Sequence, residues 1–259
     1  MRNVPRSPVG RRQAGFSMVE LSVAMVVALF LLAGLFTMEQ STRKASQQQT
    51  LLAQLQDNQR LAMTILTDVI QSAGYFSDPS TNTLVGSLPS AAPLFSTAGQ
   101  GIYGTTTAGQ DTIYIQYMSQ GHLTDNVILC NGQQAPDATP GIAYINSFSV
   151  AGGNLQCSLS TNIASTITAV PNSPFVLVEG LQSMTIQYGV ATTGTNGYSV
   201  DTYMTAAQVQ AANRWLDVSS VKVTLSFKNP LYGQPGYTSA ASQFVNFERV
   251  IGLMARAGV

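Results

Sequence analysis

The sequence predicts an α+β chain: a long N-terminal α-helix packed on an antiparallel β-rich C-terminal head. Three observations carry that prediction. An unbroken apolar run occupies Phe16 to Met38. No proline occurs from Val9 to Asp78, and Gly34 is the only glycine between Gly15 and Gly74, so nothing interrupts a helix over that stretch. From Thr112 onward, segments that alternate apolar and polar residues recur between turn-rich stretches, which is the period of a strand with one wet face.

The first 15 residues hold Arg2, Arg6, Arg11 and Arg12 and no acid. The 23 residues of Phe16–Met38 would form a helix about 34 Å long, enough to cross a bilayer core. Arginines ahead of such a run keep the N-terminus cytoplasmic, and everything after Met38 is then outside. A cleaved secretory signal would have a shorter apolar region followed by small residues, whereas here Ala14-Gly15 precede the run. A plain signal anchor explains everything except Glu20, the only charge between Arg12 and Glu39. A carboxylate costs about 2.5–3.5 kcal/mol at the centre of a membrane helix and less towards its end. Glu20 falls in the first turns, where the helix dipole favours a negative charge. Cutting after Gly15 would place a new α-amino group about one turn away on Phe16, available to a carboxylate.

Beyond Met38, Leu52, Leu55, Gln59, Ala62, Leu66, Val69 and Ala73 are spaced alternately by three and four residues, a single apolar stripe broken at Gln59 and widened by Ile65 and Ile70. Residues 39–74 are therefore an amphipathic half of the same helix, which would run from Phe16 to Gly74, roughly 88 Å. Gly74 with Pro79 beyond it supplies the stop. Residues 75–110 read as an irregular connection with room for one short strand. In the head, 75–259, strands are expected at Thr112–Met118, in "NVILC", in "GIAYINSFSV", on both sides of Glu179-Gly180 within Phe175–Val190, at Ser220–Lys228 and in "QFVNFERVIGLMAR". Val221, Val223, Leu225 and Phe227 should point inward. A short helix capped by Thr205 is expected in "TAAQVQAANRWLDV".

Composition narrows the function classes. Charged residues are 9% of the chain, far below the roughly 25% of ordinary soluble domains. Without the four leading arginines the remainder has eight basic and twelve acidic side chains, so no basic stripe exists for nucleic acid. Cys130 and Cys157 are the only cysteines. In an exported domain the pair reads as a disulfide closing a 28-residue loop, and in a cytosolic one as two buried thiols. Two cysteines and one histidine cannot supply four zinc ligands. His122, in "SQGHLTDN" near Asp125, is the sole histidine, and no G-x-S-x-G elbow surrounds any serine. Asp78, Asp125, Asp137 and Asp201 are scattered and lack a calcium-loop pattern. "GQGIYG" fits a phosphate-loop pattern but neither follows a clear strand nor opens a helix, so it reads as loop glycines. Trp215 reads as core. The chain is expected to be no enzyme and to need no cofactor.

A basic leader ending at Gly15, then Phe16, Ser17, Met18-Val19 and Glu20, then a long apolar helix, resembles a type IV prepilin. The resemblance implies cleavage between Gly15 and Phe16 by prepilin peptidase, N-methylation of Phe16, and a role for Glu20 in subunit docking. "LVEGLQSMTIQYGV", "NRWLDVSSVKVTLSFKN" and "FERVIGLMAR" are similar to the C-terminal region of PilW-type minor pilins; the J-type minor pseudopilins of type II secretion share the leader and a similar head. What the resemblance implies is a low-abundance structural subunit of the type IV pilus, held first in the inner membrane of a Gram-negative bacterium with its head periplasmic. Its implied partners are other minor and major pilins, the inner-membrane assembly platform and a tip adhesin. A pseudopilus subunit and a tip-located adhesive module are the alternative readings.

Overall fold

The computed structural model describes residue 15, residues 17–192 and residues 200–254. The chain divides into two compact units, 1–51 and 52–259. One helix, α1 (Met18–Gln71), supplies the described helical part of the first and the beginning of the second. Its 54 residues are a little shorter than the expected Phe16–Gly74, because residues 72–74 form turns.

In the first unit every described residue of α1 as far as Ser46 is exposed, including the apolar run from Met18 to Met38. In the second unit α1 is amphipathic. Ala62, Met63, Leu66, Val69 and Ile70 are buried, while Leu52, Leu55 and Gln59 are half-buried. The stripe read from the spacing is the buried one, with Met63 added to it.

After α1 come a single helical turn, α2 (Leu84–Ser87), and the hairpin of β1 (Ile102–Thr107) and β2 (Gln110–Ser119). Then follow β3 (Ile142–Ala151), β4 (Asn154–Ile163), β5 (Thr166–Ala169), β6 (Phe175–Glu179), β7 (Leu181–Val190) and β8 (Thr202–Met204). The chain continues through α3 (Ala206–Ala212), a 3-10 turn at Trp215–Asp217, β9 (Val218–Lys228) and β10 (Phe244–Gly252). All pairings are antiparallel. The first sheet runs β1-β2-β3-β4-β5, and β6 shares the outer edge of β4 with β5. The second runs β10-β9-β7-β8.

The stretch Phe175–Val190 does contain two strands, and they belong to different sheets. Gly180, at φ 82°, lets the backbone turn between them. The sheets share one core. Ile113, Ile115, Tyr117, Phe148, Leu155 and Leu159 of the first are buried in the same cluster as Met184, Ile186, Tyr188, Val190, Val221, Val223, Leu225 and Phe227 of the second, together with the α1 stripe. Gly104 in β1 lies close against the second sheet: a β-carbon there would collide with the Tyr188 hydroxyl. Lys222, Thr224 and Ser226 of β9 face outward, as the alternation requires.

Two expectations are corrected. "NVILC" is not a strand; it makes only the isolated bridge Ile128↔Gln134. Its backbone is satisfied partly by loop backbone, the Leu129 N–H donating to the Gln133 carbonyl at 2.8 Å, and partly by side chains: the Cys130 N–H donates to Asn146 Oδ1 at 2.9 Å, and the Tyr117 hydroxyl donates to the Ile128 carbonyl at 3.2 Å. In "GQGIYG", Ile102 to Gly104 lie in β1, so only the earlier glycines are loop residues. The 75–110 connection has more order than expected. Its Ala91 and Phe95 pack with Ile145 as a second, smaller core on the outer face of the first sheet. The Gln116 and Asn162 amides both donate to the Pro89 carbonyl and fasten that cover down. Cys130 and Cys157 are joined as a disulfide, Cα–Cα 6.2 Å, tying the 120–140 loop to β4. A loop of this length contributes about 3.5 kcal/mol on the chain-entropy model.

Candidate processing and docking site

The start of α1 is simple in geometry. Gly15 is exposed, and Phe16 lies outside the described residues, so the expected cleavage and methylation position has no structural description. The Ser17 carbonyl accepts the Leu21 N–H at 3.1 Å, the first turn of the helix. Glu20 stands in that turn, exposed, near the positive end of the helix dipole. It shares one face with Ser17, Val23, Ala24, Val27 and Leu31, which form a shallow open groove along the helix.

Three polar side chains occur between Met18 and Met38: Glu20, Ser22 and Thr37. The two hydroxyls are satisfied within the helix. Ser22 donates to the Val19 carbonyl and Thr37 to the Gly34 carbonyl, each at 2.8 Å. Back-bonding of this kind hides a hydroxyl from an apolar medium. Glu20 alone of the three has no hydrogen bond or ion pair among the described residues.

The other candidates do not assemble into a catalytic centre. His122 Nδ1 lies 3.1 Å from Asp137 Oδ2, both on the surface, and not against Asp125. Asp125 instead accepts from Ser119 Oγ at 2.7 Å and from the Gln120 N–H at 3.0 Å, fixing a turn. Asp78 accepts from the Ser80 and Thr81 hydroxyls, which hold its carboxyl below the usual range. Asp201 accepts from the Thr192 N–H and hydroxyl. No group of three or more histidine, cysteine and acidic residues close enough to hold a metal exists among the described residues. Trp215 is core: its indole N–H donates to Gln210 Oε1 at 2.7 Å, and its ring centroid lies 5.0 Å from those of both Tyr103 and Tyr188.

Sequence reasoning missed one feature of the head. An open cavity of about 920 Å³ lies between the last turns of α1, the 125–132 loop, the Trp215–Val218 segment and Leu253-Met254. Its wall is mostly apolar. Tyr75, on that wall, has its hydroxyl pKa raised, first by burial and then by the charge of Asp125. No local signal marks the cavity, because its walls come from many separate stretches of chain.

Two family models match the chain. Residues 10–36 match the prokaryotic N-terminal methylation motif, and residues 144–246 match the type IV pilus-assembly protein W. Among solved structures, the type IV-like pilin TTHA1219 from Thermus thermophilus aligns at 12% identity with a TM-score of 0.43, covering 79% of this chain and 97% of that one. At that similarity it adds nothing to what the chain's own elements show. No curated protein matches the chain significantly. The methylation motif on its apolar helix and the pilus-assembly match from β3 into β10 of its head together support a PilW-type minor pilin of the type IV pilus.

Proposed function

We propose that this minor pilin is stored in the inner membrane, cut between Gly15 and Phe16 by prepilin peptidase, methylated on Phe16, and then docked into the filament through Glu20. The observation that supports this reading is the state of Glu20. In a run where both hydroxyls bond back to the helix, its charge has no partner among the described residues. A carboxylate in an apolar medium needs a cationic partner. Cleavage creates one, the α-amino group of Phe16, on the same chain and on every neighbouring pilin. The head stays outside the cytoplasm, and the subunit sits sparsely and near the pilus tip, where it supports initiation together with other minor and major pilins, the assembly platform and a tip adhesin. The adhesive-module reading is not favoured by any specific feature of the head.

Glu20→Ala in the full chain tests the docking step. Membrane-fraction abundance should stay unchanged while the amount recovered in sheared pili falls by at least about tenfold, equivalent to about 1.4 kcal/mol of lost docking energy. Unchanged recovery in pili would overturn the role of Glu20. Intact-mass analysis of the mature chain tests the processing step: a chain beginning at methylated Phe16 is expected, and one retaining residues 1–15 would refute it.

A further inference from the structure

The head cavity has a chemistry of its own. Tyr75, Ile128, Leu216 and Met254 are large apolar side chains on its wall that stay exposed, Met254 by 66% and Ile128 by 57%. Apolar groups gathered at the mouth of an open groove mark an interaction site more than scattered ones do. Of the wall residues that carry charge, Asp68 and Asp125, both are acidic. Asp125 is already engaged by Ser119 and Gln120. Asp68 has no hydrogen bond or ion pair to its carboxylate among the described residues. Gln71, three residues on and so on the same face of α1, likewise has no partner for its amide there.

We propose that this groove seats an apolar segment of a partner polypeptide whose lysine or arginine pairs with Asp68. Two features fix the occupant's chemistry. The only charge on the wall without a partner among the described residues is negative, so the complement is a cation. The free amide of Gln71 offers a donor and an acceptor on the same rim, which a peptide backbone uses and a hydrocarbon chain does not. The apolar wall supplies the contact area, and Asp68 supplies orientation and discrimination. The site is separate from Glu20, and its occupancy does not rest on the docking reading above.

The test is a photoreactive amino acid at position 216 of the full chain, irradiated in the membranes of its own bacterium, with adducts identified by mass spectrometry. The expected result is one defined segment of another protein, apolar and containing lysine or arginine. Asp68→Asn should cut that adduct by about tenfold or more, the equivalent of about 1.4 kcal/mol. Asp68→Lys should abolish it, and replacing the partner's cation with aspartate should restore it. Asp68 is exposed, and an unchanged melting temperature of each variant checks that the head remains folded. An adduct confined to residues 255–259 of the same chain, to a second copy of the chain or to lipid would overturn the proposal. So would no adduct at all, or a yield indifferent to Asp68→Asn.

Discussion

The two stretches of α1 are one continuous helix made for two different solvents. From Met18 to Met38 the helix is apolar all round and every residue is exposed. From Ala62 to Ile70 only one stripe is apolar, and that stripe is buried under the sheets. A helix that is apolar on every side is not finished by its own chain; lipid or other helices must surround it. A helix with a single stripe is finished once that stripe meets a sheet. Glu20 and Leu66 are the residues in which the difference is sharpest. The charge at Glu20 finds no partner among the described residues, whereas the side chain of Leu66 is enclosed completely.

The comparison can be broken by substitutions that should each affect one half alone. The largest effect is expected from Leu66→Ala. It leaves a cavity at a site with no exposure, and the head should lose about 2–5 kcal/mol in chemical denaturation while membrane insertion is unchanged. Loss of insertion with an intact head would reverse the assignment of the two halves. Next is Leu29→Arg, near the middle of the apolar run. An insertion assay should show a cost of about 2.5–3.5 kcal/mol, with the melting temperature of the head unaltered. A smaller effect is expected from Thr205→Ala. Thr205 caps α3 reciprocally with Gln208, so the head should lose about 1 kcal/mol, and Thr205→Ser should recover most of it.

The last prediction concerns pH. Burial raises the hydroxyl pKa of Tyr117 and Tyr188, and raises Tyr144 less completely. Because the folded values lie above the unfolded one of about 10, the contribution of these tyrosines is intact below that pH and declines as pH rises through it. Near neutrality the change should be negligible. In strong alkali the head should unfold while the membrane half keeps its helical signal. A spectrophotometric titration in which all ten tyrosines ionise together at ordinary values, with the head still folded, would contradict this.

Much of this division was legible in the sequence, for a physical reason. Helix spacing and strand alternation are local, so the stripe through Ala62, Leu66 and Val69, the inward set Val221 to Phe227, and the cap at Thr205 could be read from neighbours in the chain. What joins distant stretches was not. Nothing near Glu179-Gly180 says that the two strands there leave for different sheets. β4 hides its inward Leu155, Cys157 and Leu159 among serines, threonines and asparagines. "NVILC" looked like a strand because it is apolar; loop backbone at Gln133 and Ala135 and the side chain of Asn146, sixteen residues away from Cys130, take the place of a ladder there. At the candidate site, Glu20 stood out as a lone charge. That Ser22 and Thr37 are satisfied while Glu20 is not required the helix itself.

The outer face of the second sheet is built mostly from Ser183, Thr185, Gln187, Thr224, Ser226 and Asn246; its ions are Lys222, held 5.0 Å over the Tyr203 ring, Lys228 and Glu248. Hydroxyls and amides carry no counterion cloud, so dissolved salt has only a few ions to screen on such a surface. Whatever meets the head through this face should hold about as well in brackish or marine water as in fresh.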